Sequence, residues 1–334
     1  MSVVMPPAPR RAPAPSVRRA VPMPAPCDAV GEAALRARLS ADRRRALARR
    51  SNRAGLAQLA GHVAAVALTG AWIALRWPLW PAAMLVHGTL LVFLFTAMHE
   101  CAHRTAFATR GANDAAAALC GAVLGLSPEW FRHFHFAHHR HVQDPGRDPE
   151  LATPRPRTRL EYLVHVSGLP TWRAAIAGLA RNAFGRGTDP YVPARARARV
   201  RFECRALLAL YAAVAALSAA SGSTAALTLW VVPMLLGQPL LRLCLLAEHG
   251  DCPFVADRLV NTRTTFTNAL VRRLAWNMPY HAEHHAFPAV PFHRLPELHR
   301  IARAHLGTTS PGYARFNAGY ARGAVSASSR RRGS

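Results

Sequence analysis

Three short clusters of histidine stand out in this 334-residue sequence as the residues best placed to do chemistry. The first, His99-Glu100-Cys101-Ala102-His103, sets imidazoles at i and i+4. The second, His135-Phe136-Ala137-His138-His139, and the third, His281-Ala282-Glu283-His284-His285, each set them at i, i+3 and i+4. On a helix those positions share a face, so each cluster presents its rings together. Neutral imidazole is the commonest protein ligand for a metal. With 17 histidines in the chain, one HxxHH arises by chance in roughly one such sequence in twenty-five, and two in roughly one in a thousand. The three clusters supply more imidazoles than a tetrahedral zinc or a single octahedral ion takes, which points to two metals. Ligand type alone leaves iron, copper, nickel and zinc open.

Other residues join these clusters as candidates. His249 ends the apolar run Leu-Leu-Ala-Glu248-His249 and reads either as a ninth ligand or as an ordinary histidine at a membrane interface. Glu100, Asp148, Glu248 and Glu283 lie beside the clusters, where a carboxylate can orient a ligand through its second ring nitrogen or simply be solvated. The isolated His62, His87, His165, His293, His299 and His305 are expected to be satisfied polar residues. The first cluster also spells HExxH, the zinc-protease motif, in which glutamate is the general base. A protease would leave both HxxHH clusters unexplained. A metal carrier or haem anchor would need facing histidines inside the spans, where only His62 and His87 fall.

The elements that must position these residues are apolar helices. Residues 56–75, 81–98, 206–222 and 225–246 carry almost no charge, and at 1.5 Å per residue each is of a length to cross a hydrocarbon layer of about 30 Å. The expected fold is an all-α integral membrane protein: four transmembrane helices in two hairpins, with a cytoplasmic helical cap carrying the histidine clusters. The apolar segment Ala115–Leu126 is too short to span and is expected to lie at the interface or re-enter. Residues 1–27, rich in proline, alanine and arginine, read as a disordered basic tail, and 28–54 as an amphipathic or surface helix. The domain then runs over 55–315, and 316–334 reads as a second disordered basic tail.

Charge fixes the expected orientation. The chain carries a formal +25 with no lysine, so every basic side chain but histidine is arginine. The arginines crowd the stretch before Leu56, the central segment and everything after Asp251, whereas the two outer turns hold at most Arg76. The positive-inside rule makes the crowded side cytoplasmic. The first cluster follows the second span, His249 ends the fourth, and the other clusters lie in cytoplasmic segments, so all ligands can meet at one membrane face. Arg242, near the end of the fourth span, is expected to snorkel. Without a zinc-finger or RNA-binding signature, the charge does not point to nucleic acid. The six cysteines form no CxxC pair and no disulfide framework, as expected for thiols facing a reducing compartment.

With HxxxH, HxxHH and HxxHH set across four spans, the chain resembles the membrane fatty acid desaturase family from about Leu56 to His305. Trp130-Phe131-Arg132, Asp144-Pro145-Gly146-Arg147-Asp148-Pro149-Glu150 and Asn277-Met278-Pro279-Tyr280 are further matching stretches. The resemblance implies two non-haem irons held by His99, His103, His135, His138, His139, His281, His284 and His285, with His249 matching an additional family histidine. It also implies O2 as co-substrate, a lipid or fatty acyl substrate, and electrons from a ferredoxin-like or cytochrome-type donor. His281 stands where members with a fused cytochrome domain have glutamine, and the His-Pro-Gly-Gly haem motif does not occur; a separate donor protein is therefore expected. Hydroxylases and carotenoid ketolases with similar clusters are the alternative outcome of the same chemistry. The expected location is a bacterial inner membrane, with the active site and both termini cytoplasmic. The polar stretch Asn261–Thr265 is either a structural loop or a place for a substrate headgroup.

Overall fold

The computed structural model describes residues 31–186 and 189–332, with side chains as far as 323. The expected irregular segment 1–27 lies outside the described residues. The chain is mostly helical, and its one sheet among the described residues is a two-residue parallel pair, β1 (Thr264–Thr265) with β2 (Thr309–Ser310). Four stretches of the described residues are long and apolar enough to cross a membrane: Ala41–Ala74, Trp80–His103, Ala194–Ser221 and Leu227–His249. Their outward faces carry exposed Leu56, Leu68, Leu85, Leu210, Leu217 and Leu236. Lipid tolerates such a surface where water would not.

Fifteen α-helices are described, with a few short 3-10 and π turns between them. The chain opens with α1 (Glu32–Arg38) and α2 (Ala41–Leu47), then the long α3 (Asn52–Ala74) and α4 (Trp80–His103), then α5 (Arg110–Leu124) and α6 (Pro128–His141). There follow α7 (Arg159–Ser167), α8 (Leu169–Ala183), α9 (Ala194–Ser221), a π turn at Leu227–Val231 and α10 (Val232–His249). The short α11 (Arg258–Asn261), α12 (Ala269–Leu274), α13 (His281–Ala286) and α14 (Leu295–Ala302) precede α15 (Tyr313–Arg332).

The helix pair α4 and α10 forms the centre of the molecule. Backbones approach closely at Gly88 and Gly237: a Cβ on Gly88 would stand 1.8 Å from the Pro233 carbonyl oxygen, and one on Gly237 2.3 Å from the Gly88 carbonyl carbon. The lone histidines within the spans tie α4 to its other neighbours. His62 Nε2 lies 2.8 Å from the Leu90 carbonyl oxygen, and His87 Nε2 lies 2.9 Å from that of Leu229 in the π turn. The start of α3 lies by the segment after α4, since the Thr109 amide donates to Asn52 Oδ1 at 3.0 Å. On the other side α9 is tied to the start of α6, where Glu203 accepts from the Ser127 hydroxyl and the Glu129 amide. The short apolar segment expected to lie at the interface or re-enter is α5, which packs on α4 through Ala116, Ala117 and Cys120.

Several boundaries differ from the expectation, each for a local reason. α4 continues past Met98 to His103 and closes with Arg104 in the left-handed region. α9 begins at Ala194, directly after Pro193, so the arginine-rich stretch before the apolar run is already helical. Within the described part of 28–54, the expected amphipathic or surface helix is divided into α1, α2 and the start of α3. Ser40 breaks the stretch by capping α2, and Leu35, Leu39 and Leu47 are buried against Leu259, Leu295 and Leu298. Nor does an irregular tail begin at 316: α15 runs to Arg332, with Asn317 Nδ2 donating to the Leu243 carbonyl and the Tyr320 hydroxyl to that of Pro156. Arg242 turns toward α8, donating from Nη1 to Thr171 Oγ1 at 3.3 Å, and its Nε is buried.

Candidate metal centre

Four helices deliver the histidines. The last turns of α4 carry His99 and His103, the C-terminal half of α6 carries His135, His138 and His139, the last residue of α10 is His249, and α13 carries His281, His284 and His285. All nine rings are buried except His103, which is partly so. α6 has its own start signal, Ser127 capping with Pro128 in the first turn, and its i, i+3, i+4 spacing puts three rings on one face. α13 follows Trp276 and Asn277, two successive non-glycine residues at φ 50 and 59, which turn the chain into the third cluster.

The rings fall into two adjoining groups. His99, His103, His135, His139 and His284 form one, and His138, His249 and His285 the other, each with its ligand nitrogens within 4.8 Å of one another. His281 adjoins the second group, its Nε2 lying 3.2 Å from His249 Nε2 and 3.1 Å from His285 Nε2. Elsewhere Nε2 atoms meet at 2.7 Å (His103 and His135) and 3.2 Å (His139 and His284, His138 and His249). Two nitrogens on adjacent octahedral positions, each about 2.1 Å from an ion, stand about 3.0 Å apart. The spacing is that of ligands around a cation. The groups touch where the His139 and His285 rings stack at 4.0 Å between centroids.

Electrostatics favours the ligand form of these rings. Burial, reinforced by neighbouring imidazoles, holds His135, His139, His281, His284 and His285 well below the ordinary histidine range. Neutral imidazole offers its lone pair without first losing a proton. His138 goes the other way: burial opposes its charge, but the Glu150 carboxylate and the Asp148 hydrogen bond outweigh burial and raise it. The second ring nitrogens of His139, His249, His281, His284 and His285 are buried without a hydrogen-bond partner, as are both nitrogens of His99. Packing this many imidazoles together is costly on hydrogen-bond grounds alone, and a pair of nitrogen-loving cations would satisfy the inward-facing atoms. The residues fit such a group.

Of the four candidate carboxylates, the structure brings two to the rings. His138 Nδ1 donates to Asp148 Oδ1 at 2.9 Å, and Asp148 also accepts from the Gln143 and Glu150 amides. Glu248 Oε2 lies 3.4 Å from His281 Nε2, on the side of the inward-facing nitrogens. Glu100 instead accepts from Thr105 Oγ1 and the Phe292 amide. Glu283 accepts from Thr264 Oγ1 and His299 Nδ1, so it braces α13 rather than a clustered ring. His299 is satisfied by that contact, whereas His165 Nε2 has no hydrogen-bond partner.

Three supporting residues were not singled out by spacing. Gln143, at φ 61, donates to the His249 carbonyl at 3.0 Å and thereby joins the second cluster to α10. Arg263 reaches the Ala247 and Gly250 carbonyls, both at 2.6 Å, and packs over Phe316. It completes the C-terminal end of α10 beside His249, and the stretch Asn261–Thr265 is accordingly structural here. His299 is the third. The residue type of Arg263 gave a signal, an arginine in an otherwise polar uncharged loop; Gln143 gave none.

The chain is similar to known proteins along the same segment. The fatty acid desaturase family matches residues 75–317, a span that includes all nine histidines. This chain belongs to the fatty acid desaturase family, which makes it an oxidoreductase. A curated relative, dihydrorhizobitoxine desaturase of Bradyrhizobium elkanii, is 27% identical over 278 residues, covering 76% of this chain and 75% of its own length.

Proposed function

We propose that this chain is a membrane-bound, O2-dependent fatty acyl desaturase in which the nine histidines hold two iron ions. The observation that carries the reading is the convergence of these imidazoles, from four helices, into two adjoining ligand groups. An iron pair bound there supplies O2 activation: with O2, two electrons and two protons, two hydrogens leave adjacent methylenes, and a carbon–carbon double bond and two waters result. Desaturation is favoured over hydroxylation or ketolation by the relative, which is itself a desaturase.

The chain's own residues do the rest. Asp148 fixes the tautomer of His138 so that Nε2 points inward. Gln143 and Arg263 hold the end of α10, and with it His249. Burial of the rings keeps water from the reacting carbon. The arginine distribution supports a cytoplasmic site with both termini on that side, in a bacterial inner membrane. A separate ferredoxin-like or cytochrome-type protein supplies electrons. The test is metal analysis of purified protein together with lipid profiling of cells that make it. About two irons per chain and new double bonds are expected; a single zinc, or hydroxylated lipids without new double bonds, would overturn the reading.

A further inference from the structure

The short helix α12 brings two adjacent arginines, Arg272 and Arg273, into an apolar setting. Its C-terminal end packs against the spans: Gln58 Nε2 donates to the Arg273 carbonyl at 2.6 Å, Thr96 Oγ1 to the Leu274 carbonyl at 3.5 Å, and Trp276 Nε1 to His62 Nδ1 at 3.4 Å. Gln58 and His62 lie within the apolar run that begins at Leu56, and Thr96 within the run that ends at Met98. The end of α12 is therefore level with the apolar layer rather than above it. Leu270 in α12 is 78% exposed, and Leu56 and Val63 on α3 are exposed as well. Acyl chains suit such a surface and water does not.

The Arg273 side chain continues inward. Its backbone meets α3 at Gln58, but its guanidinium meets α3 at Gly61, where a Cβ would stand 3.2 Å from Nη2. Gly61 is about 7–8 Å along the helix from Leu56. An arginine near the end of a span ordinarily reaches outward to water, and this one points the other way. Arg273 is exposed, and among the described residues its side chain has neither a hydrogen bond nor a carboxylate within ion-pair distance. Arg272, by contrast, donates from Nη1 to the Thr267 carbonyl.

A guanidinium among apolar groups is costly without an anion beside it. On a surface that faces lipid, the anion at hand is a headgroup phosphate, whose oxygens match the planar fork of donors. A lipid of net negative charge answers the arginine better than a neutral one. We propose that Arg273 and Gly61 form a binding site for one anionic phospholipid, with its phosphate on the guanidinium and its acyl chains along the outward face of α3. The glycine supplies the room, since a side chain there would displace the guanidinium. The site lies on the element that leads through Trp276 and Asn277 into α13, and it is independent of the reaction assigned to the metal centre.

Lipid titration tests it. Full-length protein, stripped of lipid in a neutral detergent, is titrated with dioleoyl phosphatidylglycerol or dioleoyl phosphatidylcholine, and bound lipid is counted by native mass spectrometry. The unaltered protein is expected to hold its first phosphatidylglycerol about tenfold or more tightly than phosphatidylcholine, as for hydrogen bonds between charged groups. Arg273→Gln should bring that preference below about threefold, and so should Gly61→Leu, which keeps every charge but fills the place of the guanidinium. Arg300→Gln, which removes an exposed arginine of α14, is the control and should keep the preference. If Arg273→Gln loses its helical signal, Gly61→Leu carries the test. Equal binding of the two lipids to the unaltered protein overturns the site, as does a preference that survives both substitutions. A preference that Arg300→Gln abolishes just as fully also overturns it, because the lipid would then answer to the diffuse positive charge of the chain.

Discussion

His138 occupies a particular place among the clustered histidines, because its outer ring nitrogen is held by a buried carboxylate. Asp148→Asn keeps the shape but weakens that hold, and metal affinity is expected to fall about 10- to 100-fold, measured by chelator competition. His138→Ala or His284→Ala should remove iron and activity while the protein still inserts, whereas His293→Ala should be mild; metal analysis and turnover check both. Acid should act through the rings as well. Five of them are held far below the usual value of 6.5, so as pH falls through that value the unfolded chain gains protons that the folded, metal-free chain refuses. Stability is therefore complete above about pH 6.5 and declines below it, His138 alone pulling the other way. The melting temperature of metal-free protein should drop between about pH 7.5 and 5.5; a flat or rising profile contradicts this. Sequence spacing made the clustered histidines legible, because i, i+3 and i+4 bring imidazoles to one face of a helix whatever the helix packs against. The carboxylates were legible only as neighbours in the chain. Asp148 meets His138 ten positions away across a turn, and Glu283 belongs to His299 rather than to the rings beside it, which no local rule encodes.

At the scale of elements, the relative position of the clustered histidines depends on how closely α4 and α10 approach. Gly88 and Gly237 let the two backbones touch, and α4 ends in His99 and His103 while α10 ends in His249. A methyl group at Gly88 would collide with backbone rather than with a movable side chain, so the helices must separate. Gly88→Ala is expected to cost about 1–3 kcal/mol or more and to lower iron occupancy, although the residue lies three turns from His99. Gly319 is the control. It sits exposed in α15 with nothing near the place of a Cβ, so Gly319→Ala should leave iron unchanged and stabilise by about 0.5–1 kcal/mol. Thermal melts with metal analysis of the two variants check the pair. The same reasoning explains which elements could be read in advance. Long uncharged runs announce spans, but hydropathy stops at the first charge while a helix does not. α4 therefore outruns its apolar segment into the first cluster, and α9 starts within an arginine-rich one. α15, and the break and burial of the α1–α2 pair, were hidden for another reason. Their burial depends on partners distant in sequence, Leu243 and Pro156 for one and Leu259, Leu295 and Leu298 for the other.

For the whole molecule, the governing question is which side of the membrane the histidines face. Apolar side chains dominate the outward faces of the four long helices, and the beginnings of α3 and α9 are tied to the segments that follow α4 and open α6. Four crossings, one for each helix long and apolar enough to span, would return the chain to its starting side between the N-terminal segment and α15. The arginines then distinguish the two sides: the turns around Arg76–Leu79 and Gly222–Thr224 carry one arginine between them, while the connecting segments at the other ends of the helices carry most of the rest. Arginine near a span resists translocation, and the clustered histidines lie at the arginine-rich ends. Green fluorescent protein fused to the C-terminus in a bacterial host should therefore fluoresce, whereas alkaline phosphatase inserted at Gly222 should be active, since it folds only outside the cytoplasm. The reverse pair of results would place the metal centre on the outer side, away from any cytoplasmic electron donor, and the proposed reaction would then lack its source of reducing power.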